Sequence, residues 1–158
     1  MGKSVLFVCL GNICRSPLAE GIAKELIRKH AWDVEVDSAG TGRWHVGEAP
    51  CENSIKVAAE HGIDISSLRA RQVNKEDFLN FDLLVALDDK NKADLEAMGA
   101  KNVLKLGDYG YDGLDVADPY FFDGFTGFRE VFSMIDVCVQ TLFKEIEYNT
   151  CISKMNTA

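Results

Sequence analysis

The segment Val5–Pro17, with the sequence VLFVCLGNICRSP, constrains the fold of this chain more than any other. Its apolar first half, which ends at Cys9, is typical of a buried strand. The pair Gly11–Asn12 predicts a tight loop, because both residue types tolerate positive φ. Pro17 suits the first turn of a helix, where the N–H group that proline lacks has no intrahelical partner. The segment therefore predicts a strand, a short loop and a helix in immediate succession.

The loop between this strand and this helix has the composition of an anion-binding site. Backbone N–H groups of such a loop point inward, and the helix N-terminus adds positive potential. Arg15 can hold two oxygens of a tetrahedral oxyanion at once. Helix N-termini and cations favour the thiolate form of cysteine, and Ser16 is placed to donate its hydroxyl to such a thiolate. We therefore expect Cys9 to act as a nucleophile beneath a bound oxyanion.

Length and composition limit the classes of function. The chain has 158 residues, 47% of them hydrophobic, which predicts a single domain over residues 1–158 with a substantial core. A net charge of −8 argues against nucleic acid as a partner. No apolar stretch is long enough for a secretory leader or a membrane span. The five cysteines, an odd number without CxxC pairs, favour a reducing cytoplasm over a metal site or a disulfide scaffold. We expect a monomer.

Strands and helices alternate along the chain, which predicts a parallel α/β sandwich. Strands are expected at 4–9, 34–38, 81–87 and 103–106, and helices at 17–29, 53–61, 89–98 and 128–148, with a helical turn at 75–78. Residues 149–158 are expected to form a frayed polar tail. Ligands of such sheets bind beyond the carboxyl ends of the strands, and Cys9 lies at one of those ends.

Hydrolysis of a phosphate ester by a thiolate also needs a proton donor for the leaving oxygen. The aperiodic segment 107–127 is long for a loop in a small domain, and such loops are usually functional. Within it, Pro119 stiffens the chain beside Asp118, and Tyr120 with Phe121 would form an aromatic wall around the acid. Asp118 is one candidate for the donor. Four other acids of the segment compete for the role: Asp108, Asp112, Asp115 and Asp123.

Five segments of the chain form a characteristic set: VCLGNICRSP at 8–17, DSAGT at 37–41, HGI at 61–63, ARQ at 70–72 and DPY at 118–120. Through these segments the chain resembles the low-molecular-weight protein tyrosine phosphatases over nearly its whole length. The resemblance implies a three-layer α/β/α sandwich with a four-stranded parallel sheet and an anion-binding loop after the first strand. It also implies catalysis without a metal or a cofactor, and phosphotyrosine-containing proteins as substrates and partners.

The resemblance assigns a role to each matching residue. Cys9 would carry the phosphoryl group as a phosphocysteine, and Ser16 would support its thiolate. Arg15 would bind the phosphoryl oxygens and stabilise the transition state. Asp118 would protonate the leaving phenolate and then activate the water that hydrolyses the intermediate. The backbone N–H groups that would help to bind the phosphoryl oxygens belong to Leu10, Gly11, Asn12, Ile13, Cys14 and Arg15.

The resemblance also places residues around this centre. Asn12 would hold the loop in a left-handed kink with support from Ser38. Trp44 and Tyr120 would flank the aryl ring of phosphotyrosine, and Ile13 would line the floor of the slot. Relatives that prefer phosphoarginine have Thr at the position of Ile13, so the isoleucine favours phosphotyrosine.

Two further positions, Leu68 and Cys14, are interpreted by comparison with the family. Many relatives have His at the position of Leu68, where it helps to brace the loop asparagine, so this chain must brace Asn12 by other means. In relatives, a cysteine at the position of Cys14 forms a reversible disulfide with the nucleophile under peroxide, and the same pairing with Cys9 is a hypothesis for this chain.

Two other functions remain as alternatives. Thiol-dependent arsenate reductases share this fold and this loop, but they need further cysteines near residues 80–90, and the segment 81–92 has none. An inactive phosphate-binding module is the second alternative. Such a module is expected to have lost the nucleophile or the acid, whereas Cys9 and Asp118 are both present.

Overall fold

The computed structural model describes residues 2–119 and 124–156. Four strands, β1 Lys3–Cys9, β2 Val34–Gly40, β3 Leu83–Ala86 and β4 Leu104–Lys105, form one parallel sheet in the order β2-β1-β3-β4. The helices are α1 Arg15–His30, α2 Glu52–Glu60, α3 Asp77–Asn80, α4 Asp89–Ala97 and α5 Thr126–Asn156, and a 3₁₀ turn spans Leu106–Asp108. Helices cover both faces of the sheet, which confirms the predicted three-layer α/β/α fold.

Strand β1 lies in the centre of the sheet and is buried on both faces. Val5 and Phe7 point into a core shared with α1, α2 and α5, whereas Leu6 and Val8 point into a second core shared with α3 and α4. A continuous apolar run is typical of a strand that is covered on both sides. This central position brings Cys9, the last residue of β1, to the carboxyl edge of the sheet.

The larger core is organised by aromatic contacts from α5. Phe143 is buried, and its ring stacks on that of Phe7 with the centroids 6.5 Å apart. The same ring lies 6.2 Å from that of Trp32 at a tilted angle. Because α5 also packs along α1, it holds the helix that follows the anion-binding loop against the sheet.

The elements agree with the sequence predictions within a few residues, with one clear exception. The predicted frayed tail is wrong, since α5 continues through Asn156. The segment after Tyr148 contains neither glycine nor proline, and extending an existing helix by one residue costs little free energy. No helix in the described part of the chain is both long enough and apolar enough to cross a membrane.

Replacement of Phe143 by alanine tests the importance of the aromatic contacts. We expect F143A to lower the free energy of unfolding by about 3–5 kcal/mol, because a buried ring is lost and leaves a cavity. Urea unfolding followed by circular dichroism measures this change. The matched control is Y148A on the same helix, where the ring is 65% exposed. This control is expected to change stability by no more than about 0.5 kcal/mol, and an equal loss in both variants would contradict the packing argument.

Candidate active site

The loop from Leu10 to Cys14 connects β1 to α1 and is held from two sides. The backbone N–H groups of Thr41 and Gly42, which follow β2, donate to the carbonyls of Cys9 and Leu10, both at 2.9 Å. At the other end of the loop, the N–H of Cys51 donates to the carbonyl of Ile13 at 2.8 Å. The carbonyls of Cys9, Leu10 and Ile13 are therefore bound by neighbouring segments of the protein.

Gly40, the last residue of β2, lies too close to this loop for any side chain. A Cβ atom on Gly40 would lie 2.7 Å from the carbonyl oxygen of Leu10. Gly40 also accepts from the N–H of Val73 and donates to the carbonyl of Arg71. The sequence segments 8–17, 37–41 and 70–72 thus meet at a single place, although they are far apart along the chain.

Asn12 holds the loop in its conformation. Its φ of 58° is in the left-handed region, which asparagine tolerates better than most residues. Its side-chain amide donates to Ser16 Oγ at 2.7 Å and to Ser38 Oγ at 2.9 Å. Its side-chain carbonyl accepts from the backbone N–H of Arg71 at 3.0 Å. Every polar atom of this buried amide therefore has a partner.

The network around Asn12 ends on a buried carboxylate. Ser38, having accepted from Asn12, donates its own hydrogen to Glu20 at 2.6 Å. Glu20 is 3% exposed and is paired with Lys24. Leu68 packs against the apolar core, and the brace of Asn12 comes from Ser38, with Glu20 behind it, and from the main chain of Arg71.

Hydrogen-bond donors surround the sulfur of Cys9. Ser16 Oγ lies 3.0 Å from the sulfur, and the N–H of Asn12 donates to it at 3.3 Å. Because Ser16 already accepts from Asn12, its own hydrogen is free to point at Cys9. Both groups stabilise a negative charge on the sulfur more than they stabilise a neutral thiol.

Arg15 opens α1 with a guanidinium that is almost completely buried. It donates to Asp88 at 2.6 Å and to the carbonyl of Val116 at 3.0 Å, and its Nη2 lies 3.7 Å from Asp118. Burial works against the charge on Arg15, but the negative groups of Cys9, Asp88 and Asp118 outweigh it and raise its pKa. The guanidinium therefore stays charged and has a fixed orientation.

Asp88 is a site residue that the sequence did not single out. Its Oδ1 accepts from the N–H of Asn91 and caps α4, whereas its Oδ2 binds Arg15. The available signal was its position directly after β3, at the same edge of the sheet as Cys9. A carboxylate at that edge is a natural partner for a cation on the neighbouring loop.

A cleft of about 250 Å³ opens above the loop and gathers most of the predicted residues. It is lined by Cys9, Leu10, Gly11, Ile13, Cys14, Arg15, Trp44, His45 and Asp118. Trp44 is 71% exposed and stands at the mouth. His45, which the sequence did not single out, is held by Glu48 at 2.8 Å.

Among the candidate acids that the structure describes, Asp118 is the one that lines the cleft. Asp115 is instead paired with Lys105 at 2.8 Å. Tyr120, Phe121 and Asp123 lie outside the described residues. The aromatic wall around Asp118 therefore stays a prediction. Within the described ranges, no group of three or more His, Cys, Asp or Glu side chains is arranged to hold a metal ion.

Cys14 has a close sulfur neighbour other than the nucleophile. Its Sγ lies 2.8 Å from Sγ of Cys51, the residue directly before α2. Both cysteines are free thiols. The predicted pairing of Cys14 with Cys9 stays a hypothesis, and Cys51 is a competing partner that the sequence did not suggest.

Comparisons with known proteins place these features in a family. Residues 4–151 match the model of the family described as low molecular weight phosphotyrosine protein phosphatase. The low molecular weight protein-tyrosine-phosphatase YfkJ of Bacillus subtilis is 41% identical over 153 residues, covering 91% of this chain and 96% of its own length. Its crystal structure matches with a TM-score of 0.87 at 38% identity, covering 94% of this chain and 97% of that one.

Two further relatives come from animals. The low molecular weight phosphotyrosine protein phosphatase of Sus scrofa is 35% identical over 153 residues, covering 91% of this chain and 96% of its own. The crystal structure of a Drosophila arginine phosphatase has a TM-score of 0.82 at 33% identity, covering 90% of this chain and 96% of that one.

The brace around Asn12 is tested by N12A. We expect this variant to lose about 3 kcal/mol or more of unfolding free energy, because alanine is strained at this φ and the buried partners of the amide lose their hydrogen bonds. Chemical unfolding measures the loss. The matched control is N102A, at an exposed asparagine with the same φ of 58°. The control keeps only the strain, about 1 kcal/mol, so similar losses in the two variants would show that the network contributes nothing.

Proposed function

The chain belongs to the low molecular weight phosphotyrosine protein phosphatase family of hydrolases, and we propose that it hydrolyses phosphotyrosine in proteins through a phosphocysteine on Cys9. The observation that supports this most strongly is the common cleft of Cys9, Arg15 and Asp118. A nucleophile, a cation for the phosphoryl group and an acid thus face the same volume. Small aryl phosphates are expected to be substrates as well, because they carry the same reacting group.

The first step transfers the phosphoryl group to sulfur. The Cys9 thiolate attacks phosphorus from beneath while the phosphoryl oxygens bind Arg15 and the N–H groups of residues 10–15. Loop amides that are already oriented stabilise the transition state without reorganisation. Asp118 gives its proton to the departing phenolate oxygen, and the S–P bond forms as the P–O bond breaks.

The second step regenerates the enzyme. Asp118, now a carboxylate, removes a proton from a water molecule that attacks the phosphocysteine. Inorganic phosphate leaves, and Cys9 departs as a thiolate. The donors on the sulfur, Ser16 and the N–H of Asn12, stabilise the negative charge that returns to it. The same contacts thus assist both steps.

The cleft favours an aryl phosphate over a short alkyl one. Trp44 at the mouth offers a ring face to the phenol, and Ile13 adds an apolar wall. The phosphorus of phosphoserine is closer to its own backbone, so it would not reach a sulfur at the bottom of the cleft. Because one solved relative is an arginine phosphatase, phosphoarginine is the competing substrate to measure, and Ile13 argues for phosphotyrosine.

Arsenate reduction is less well supported than ester hydrolysis. The segment in which such a reductase needs relay cysteines is here occupied by β3 and α4, and it has no cysteine. Asp118 also favours ester hydrolysis, because the leaving oxygen of an ester needs a proton donor and Asp118 lines the cleft. A phosphatase of this kind needs a reduced thiol, and thiols stay reduced in the cytoplasm. We therefore propose that the enzyme is cytoplasmic and monomeric, with phosphotyrosine proteins as partners.

Asp118 is tested by its dependence on the leaving group. We expect D118N to lower kcat/KM for phenyl phosphate, which reports the first step alone, by about 10²–10⁴-fold. The loss for p-nitrophenyl phosphate is expected to be much smaller, because p-nitrophenolate leaves without a proton. Steady-state rates with both esters measure the difference. The matched control is D112N, at an exposed acid of the same segment, which should leave both rates unchanged, and an equal loss with both esters would exclude Asp118 as the proton donor.

Trp44 is tested by W44A. We expect kcat/KM for a phosphotyrosine peptide to fall by about tenfold, since an aromatic contact contributes roughly 1 kcal/mol. Inhibition by inorganic phosphate should not change, because phosphate needs only the loop and Arg15. Phosphoserine and phosphoarginine peptides are measured alongside. A parallel loss of phosphate affinity would mean that Trp44 supports the loop rather than the aryl ring.

A further inference from the structure

Cys14 and Cys51 place two free sulfur atoms 2.8 Å apart beside the cleft. We propose that this pair is an oxidative modification site, at which a peroxide converts the two thiols into a disulfide and leaves Cys9 as a free thiol. The inference goes beyond the hydrolytic reaction and does not depend on it, because the modification can be followed chemically.

Two hydrogen bonds to main-chain carbonyls hold the segments of the two cysteines together. The N–H of Cys51 donates to the carbonyl of Ile13 at 2.8 Å, and the hydroxyl of Ser54 donates to the carbonyl of Cys14 at 3.0 Å. The loop is thus fixed to the first turn of α2 on both sides of the sulfur pair. Since a disulfide is about 2.05 Å long, the two sulfurs, now 2.8 Å apart, need to approach by less than an ångström.

The two thiols are chemically unequal. Cys51 is half-buried, whereas Cys14 and Cys9 are only 6% and 2% exposed. A hydrogen bond from the Cys14 thiol lowers the pKa of Cys51 to about 6, and although burial opposes this shift, the backbone N–H of Ser54 supports it. The hydrogen bond with Cys51, together with burial, raises the pKa of Cys14. Cys51 is therefore the thiolate of the pair, and Cys14 keeps its proton.

This inequality sets the order of the chemical steps. The thiolate is the form that reacts with peroxides, and the more exposed thiolate reacts first. The Cys51 sulfur attacks hydrogen peroxide, an S–O bond forms, the O–O bond breaks, and the hydroxide that leaves takes a proton to become water. Cys14 then loses its proton and attacks the Cys51 sulfur, so that the S–S bond forms, the S–O bond breaks and a second water leaves. Two thiols have then been oxidised by two electrons and one peroxide reduced to two waters.

The position of the pair gives the modification a consequence for the site. Cys14 is the cysteine that a disulfide to Cys9 would require. Once Cys14 is bonded to Cys51, a disulfide between Cys14 and Cys9 can no longer form, and Cys9 keeps its contacts with Ser16 and Asn12. Oxidation of the pair therefore leaves the nucleophile chemically intact.

Peptide mapping of the whole protein tests the proposal directly. The reduced protein is treated with an equimolar amount of hydrogen peroxide, free thiols are alkylated, and trypsin is added. Cleavage leaves Cys9 and Cys14 together in the peptide 4–15 and Cys51 in the peptide 44–56. A disulfide between Cys14 and Cys51 joins the two peptides, whereas one between Cys9 and Cys14 leaves them separate and makes the first lighter by two hydrogens.

We expect the joined peptides, with fragmentation assigning the link to Cys14 and the alkyl label to Cys9, and we expect dithiothreitol to release them. A disulfide between Cys9 and Cys14, a link between Cys9 and Cys51, or oxidation of Cys9 with Cys14 and Cys51 both alkylated would each overturn the proposal.

Two variants serve as matched controls. C51S should abolish the joined peptides and keep the basal rate with p-nitrophenyl phosphate, which also reports that the variant is folded. C151S removes the exposed cysteine of α5 and should leave the joined peptides in place. Loss of the link in C151S as well would show that the cross-link is not specific to the sulfur pair. If the phosphatase assay fails but the Cys14–Cys51 link forms, the proposed function is wrong and the modification site stands.

Discussion

The left-handed backbone of Asn12 is the constraint on which the rest of the site depends. At this residue the loop turns so that the N–H of Asn12 donates to the sulfur of Cys9. The side chain of Asn12 fixes that turn through Ser16, Ser38 and the main chain of Arg71. Since the amide is buried, any other loop conformation would leave its polar groups without hydrogen bonds, at a cost of about 1–3 kcal/mol for each group. The conformation of the loop is therefore fixed by contacts within the protein.

A second constraint is the buried charge of Arg15. A guanidinium that is 3% exposed must be compensated, and Asp88 does this from the end of β3 at 2.6 Å. The partner is placed on the side of Arg15 that faces α4, so Nη2 remains directed toward Asp118 and the cleft. A buried cation is thus retained at the cleft of a protein whose net charge is −8.

The loop has two chemically different sulfurs on its two sides. Cys9, the proposed nucleophile, faces Ser16 and the N–H of Asn12. Cys14 faces Cys51 and the first turn of α2. The same short segment that presents the nucleophile also brings a second thiol to a partner elsewhere in the chain, and this separation is what lets the two sulfurs have different chemistry.

The sequence by itself determined the fold class, the loop and the identity of its chemical groups. Apolar runs, the Gly11–Asn12 pair and Pro17 are local signals, and local geometry follows from neighbouring residues in the chain. The polar sequence after Tyr148 predicts fraying, but α5 continues to Asn156 because no residue there breaks a helix. Three relationships were decided only by the tertiary structure: the pairing of Asp88 with Arg15, the contact of Ser38 with the buried Glu20, and the contact of Cys14 with Cys51. Each joins groups from different elements, and distances of this kind are set by how the strands order and the helices pack, which no local pattern encodes.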